Sequence, residues 1–73
     1  MTKKDMYIEL LRITECNIEY YMSIEDIAGC HLLLRLCLKC IPDEDDLADA
    51  EKIDLLELVL CNLKLLSRVK EAF

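Results

Sequence analysis

The chain has 73 residues, enough for one domain (1–73), and a domain this short hides only about 60% of its unfolded surface, so its core must be densely apolar. It has the material: 55% of the residues are hydrophobic, with 15 leucines and 7 isoleucines, which excludes a disordered tail. Fifteen acidic against nine basic residues leave a net charge of −6, which opposes nucleic-acid phosphates and anionic lipid surfaces. No apolar run approaches the roughly 20 residues of a membrane span, so neither nucleic acid nor membrane is an expected partner.

A single glycine, Gly29, and a single proline, Pro42, leave almost no turn chemistry for a sheet and predict an all-α fold. Thr2 followed by Asp5 reads as a helix N-cap, and the first helix is expected over about 3–21. Met6, Leu10, Ile13 and Tyr20 recur there at helical spacing, and Tyr7, Leu11, Ile18 and Tyr21 widen the apolar face opposite a stripe of Asp5, Glu9, Arg12, Cys16 and Glu19. The polar stretch from Thr14 to Asn17 marks a point where this helix can break.

Ser23, with Glu25 and Asp26 behind it, caps a second helix expected over 24–40, closed by Lys39 and stopped by Pro42. Almost every position from Ile27 to Ile41 is apolar, which marks it as the most buried of the three. Asp43, Glu44, Asp45 and Asp46 open a third helix over about 45–72, and Lys64, Arg68 and Lys70 close it in accord with the helix dipole. Its polar stripe of Asp54, Glu57, Cys61, Lys64 and Arg68 is narrow, and leucines fill more than one other face.

A helix of about 27 residues is roughly 40 Å long, whereas a spherical domain of this size is about 29 Å across. That mismatch predicts a bundle completed by dimerisation, with Leu56, Val59, Leu60, Leu63 and Leu66 of helix three packing on a second copy. Burial of the same face by helices one and two, in an up-down-up bundle, and a stable complex with a different protein are the competing arrangements.

Five cysteines are an odd number for a disulfide scaffold and, with no secretory signal in the first residues, fit reduced thiols in a cytoplasmic protein. Cys37 and Cys40 form a C-x-x-C, but at a helix C-terminus, where the dipole raises rather than lowers a thiol pKa. Cys30 and His31 lie too far along a continuous helix to join them around one ion, so no metal or cofactor is expected. Cys16 and Cys61 fall on polar stripes and are the thiols expected to meet solvent.

The lone His31 has no serine or carboxylate at triad spacing, and the carboxylate pairs lie along helix surfaces, so no catalytic residues are assigned. From Asp43 to Glu57 there are eight acids and one base, Lys52. Asp43, Glu44, Asp45, Asp46 and Asp49 form a candidate docking patch for a basic protein surface, with Tyr7, Tyr20 and Tyr21 as candidate aromatic anchors. The expected function is that of a small acidic adaptor, inhibitor or regulator that binds protein and is not an enzyme. The alternatives are a dedicated chaperone for an assembly-prone helical client, and a thiol or zinc protein acting through Cys37 and Cys40.

Overall fold

The computed structural model describes residues 2–20 and 24–71 and is a three-helix bundle with no strand among them. Helix α1 spans Lys3–Tyr20, α2 Ile24–Cys40 and α3 Asp49–Glu71, with a 3₁₀ turn at Ile41–Asp43. The all-α expectation therefore holds, and the bounds of α2 are those read from the sequence; Tyr21, Ser23 and Ala72 lie outside the described residues.

Helix α1 begins with a reciprocal cap. The Thr2 amide donates to Asp5 Oδ2 and the Asp5 amide donates to Thr2 Oγ1, both at 3.2 Å, so two amides that lack helical acceptors are satisfied. The helix runs unbroken through residues 14–17, the stretch where its sequence allows a break. Thr14 is buried, and its hydroxyl donates back to the Leu10 carbonyl at 2.8 Å, so it needs no partner outside the helix.

Helix α3 starts at Asp49, four residues later than the acidic run suggested. Leu47 is the cause. It is buried at 6% exposure, and the chain must turn to insert it, which leaves Asp43–Asp46 in the 3₁₀ turn and the bend that follows. The Glu44 amide donates to the Ile41 carbonyl at 3.2 Å and the Leu47 amide to the Glu44 carbonyl at 3.3 Å. The helix then opens with Glu51 Oε1 accepting from the Ala48 amide at 3.0 Å, and Lys52 Nζ reaches back to the Pro42 carbonyl at 3.0 Å.

α3 is the central element and packs against both other helices, while α1 and α2 touch each other much less. Its Leu55, Val59 and Leu66 are essentially inaccessible, and they meet Leu11 and Ile18 of α1, Ile27, Leu34 and Cys37 of α2, and Ile41 and Leu47 of the linker in one core. Contrary to what its apolar run suggested, α2 is not buried on every side: Leu32 and Leu36 face outward, and α3 likewise leaves Ile53 and Leu60 exposed.

The length mismatch disappears. With 23 residues α3 is about 34 Å long, and the body is a rod of 38 × 20 × 15 Å with the other helices lying along it. α1 and α2 take the two apolar flanks of α3, which is the up-down-up arrangement.

Candidate interaction surface

The first two turns of α1 and the turn after α2 meet at one end of the rod, where Ile41, fully buried, fixes the path of Glu44. Glu44 accepts from Tyr7 Oη at 2.9 Å and from Lys3 Nζ at 2.9 Å, and Lys3 also reaches Asp46 at 3.2 Å. Each group shifts the next. The hydrogen bond from Lys3, then that from Tyr7, holds the Glu44 carboxyl below the usual carboxylate range, and the same carboxylate raises Lys3. Tyr7 is pushed up to about 12, first by burial and then by its bond to the Glu44 carboxylate.

Beside this cluster lies an open hollow of about 410 Å³ lined by Lys3, Met6, Tyr7, Leu10 and Glu44. Its apolar wall continues along α1, where Met6 is 57% and Ile13 50% exposed. The breadth of the apolar face on α1 explains this. Leu11, Thr14 and Ile18 turn toward α3, Tyr7 is half-buried at the flank, and Met6, Leu10, Ile13 and Tyr20 are left outside. One neighbouring helix covers only part of so wide a face.

The residues assigned to self-association on α3 separate. Val59 and Leu66 are buried in the chain's own core, Leu56 and Leu63 are half-buried against it, and only Leu60 stands out, at 52% exposure. At the core positions it is α1 and α2 of the same chain that cover α3.

The acidic patch is also divided. Glu44 and Asp46 are engaged with Lys3, and Asp54 pairs with Lys4 at 3.3 Å, so among the described residues Asp43, Asp45 and Asp49 are the members of the patch outside any ion pair, and all three are exposed. Of the tyrosines, Tyr7 is a fastening, Tyr20 is 75% exposed, and Tyr21 lies outside the described residues. Among the described residues the basic side chains do not gather: Lys3, Lys4 and Arg12 are paired with acids, and the parallel course of α1 and α3 keeps Lys64 and Arg68 at the far end.

All five cysteines are free. Cys37 is buried and Cys30 partly so, and burial pushes both thiols up; Cys16 and Cys61 are exposed, as is Cys40, which the sequence pattern did not single out. Among the described residues no three of His, Cys, Asp and Glu converge at metal-binding geometry. His31 borders a shallow cleft of about 180 Å³ with Leu63, Leu66 and Ser67, none of them titratable. No helix among the described residues is long and apolar enough to cross a membrane.

Asn62 went unnoticed in the sequence. It is 3% exposed, its amide nitrogen donates to the Leu58 carbonyl at 3.1 Å and the Leu11 carbonyl at 3.5 Å, and its Oδ1 has no protein partner. It ties α3 to α1, and nothing in the leucine pattern distinguishes it from a surface asparagine. Comparison with known protein families, characterised proteins and solved structures gives no match, so any functional reading rests on these surfaces themselves.

Proposed function

We propose that the chain is a non-catalytic protein-interaction module, an adaptor, inhibitor or regulator, that receives an apolar anchor from a partner helix in the hollow on α1. The observation that carries this reading is the open hollow of about 410 Å³, walled by Met6, Tyr7 and Leu10 and bounded at one end by the Lys3 and Glu44 pair. That volume and lining suit one or two large aliphatic or aromatic side chains, the usual way an amphipathic helix is held in a groove. The exposed stripe through Ile13 extends the contact by about one turn.

The chemistry of the hollow supports binding over catalysis. Its three ionisable groups are committed to one another, with Glu44 lowered, Lys3 raised and Tyr7 at about 12, so none of them exchanges a proton readily at neutral pH. With Lys3 bridging Glu44 and Asp46 and offsetting one of their two charges, and with the hollow's wall mostly apolar, the partner is recognised by shape and apolar contact more than by charge.

A photocrosslinking residue at Leu10, compared with one at Glu19 on the polar stripe of α1, tests the reading in the protein's own cell. One discrete adduct from position 10, missing from position 19 and abolished by Met6→Glu, is the expected result. Its protein, once purified, should bind wild-type chain and lose at least tenfold in affinity for Met6→Glu, roughly the cost of a charge in an apolar contact. The same adducts from both positions, or none, would overturn it.

A further inference from the structure

Helix α2 carries a second apolar seam on the side away from the core. Glu25, Gly29, Leu32, Leu36 and Lys39 follow one another at alternating steps of four and three residues, the spacing at which one helix presents a seam to another. Ile27, Leu34 and Cys37 lie buried on the opposite side. Leu32 is 61% and Leu36 49% exposed, and Glu25, Ala28, Gly29 and Lys39 are exposed as well.

The glycine has no explanation inside the chain. It stands in mid-helix, its backbone is not left-handed, and a Cβ built there meets nothing within 4 Å. Glycine weakens a helix at such a position, and its advantage lies in letting another backbone come close.

We propose that this seam packs against the same seam of a second copy, antiparallel, about a two-fold axis near Leu32. Charge selects both the partner and the direction. The seam has an acid at its N-terminal end and a base at its C-terminal end, seven residues or about 10 Å on either side of Leu32. Two-fold antiparallel packing sets Glu25 of each copy beside Lys39 of the other, twice over, whereas parallel packing opposes like charges at both ends. Neither residue makes an ion pair within the chain among the described residues, so both are available. Leu32 meets its counterpart at the axis, and Leu36 fits over Ala28 and Gly29 of the other copy, because 28 and 36 are also equidistant from 32.

Two leucines per copy make a contact at the small end of specific interfaces, so the dimer is weak, with dissociation in the micromolar range or above. It uses α2 where the sequence pattern pointed to α3, and it does not rest on the hollow of α1.

Sedimentation equilibrium of the full chain in reducing buffer, from about 10 μM to about 1 mM, tests it. The wild type is expected to dimerise across that range. Leu32→Glu should weaken association by roughly a hundredfold, and Lys39→Glu by roughly tenfold because the two-fold axis doubles each change. The double variant Glu25→Lys with Lys39→Glu restores the complementarity and should return to within about threefold of wild type. Helix content by circular dichroism serves as the folding control, since none of these side chains enters the core.

A wild type monomeric at the highest concentration would overturn the proposal. So would a double variant as weak as Lys39→Glu alone, or dissociation by Leu60→Glu with none by Leu32→Glu, which would return the contact to α3. Each of these outcomes leaves the reading of the hollow on α1 standing.

Discussion

The two sides of α2 are built from the same kinds of residue and live in different surroundings. Its inner side, Ile27, Leu34 and Cys37, is closed by α3 and the linker; its outer side, Leu32 and Leu36, stays largely exposed among the described residues. Hydrophobicity alone does not separate them. What separates them is the third element, because a three-helix rod covers one side of each outer helix and uses α3 as the shared floor. The lesson applies to α1 too, where Leu11 and Ile18 are inside and Met6 and Ile13 outside.

The sharpest way to break this comparison is to truncate one residue on each side. Leu34 is fully buried, so Leu34→Ala should lose about 3 kcal/mol of unfolding free energy, the removed methyl groups plus the void they leave. Leu32→Ala, two residues away, should stay within about 0.5 kcal/mol when measured at concentrations where the chain is monomeric. Equal losses in urea denaturation would mean that the outer side is covered. The thiols give the same contrast without mutation: Cys40 should react with a disulfide reagent at least roughly tenfold faster than Cys37, whose buried thiol is reached only when the structure opens.

Smaller effects come from the end of the rod where α1 is fastened beside α2. Tyr7→Phe removes one hydrogen bond to Glu44 and should cost about 1 kcal/mol. The pH dependence follows from the directions of the shifts. Tyr7 has a folded value of about 12 against an ordinary 10.0, so its contribution is intact below pH 10 and is lost as pH rises from 10 toward 12. Lys3 is also raised, from 10.5, and its contribution likewise disappears on the alkaline side. Glu44 is lowered from 4.5, so its contribution is present above that value and is lost as pH falls through the depressed folded value. Melting temperature against pH should therefore fall at both extremes, and Tyr7→Phe should flatten the alkaline limb. An alkaline limb unchanged by that substitution would show that the Tyr7 and Glu44 bond contributes nothing.

Much of this architecture was legible from local chemistry. Thr2 with Asp5, the acids opening α2 and Pro42 beyond its end act within a few residues of where they stand, so the start of α1 and the bounds of α2 could be read directly. The start of α3 could not, because a run of acids suits a helix N-terminus and a turn equally, and what decides is the distant core that draws Leu47 in. The same holds for the surfaces. The apolar breadth of α3 was correctly seen, yet whether Val59 and Leu66 meet this chain or another depends on where α1 and α2 lie, which no periodicity encodes. Asn62 stayed hidden for the same reason: its partner, the Leu11 carbonyl, is 51 residues away.

The finest test concerns Gly29, on the outer side. In the isolated chain the added methyl of Gly29→Ala meets open space and the backbone is helical, so the substitution should stabilise by up to about 1 kcal/mol through helix propensity alone. In a dimer packed through α2 the same methyl lies beneath Leu36 of the other copy and pushes the helices apart. The gain should then be full in dilute protein and shrink as concentration rises, a dependence that propensity by itself cannot produce. Thermal melts of both proteins at two concentrations a hundredfold apart would show it. A gain that is the same at both means that nothing approaches Gly29 closely, and the outer side of α2 would then be a solvent face with two stray leucines.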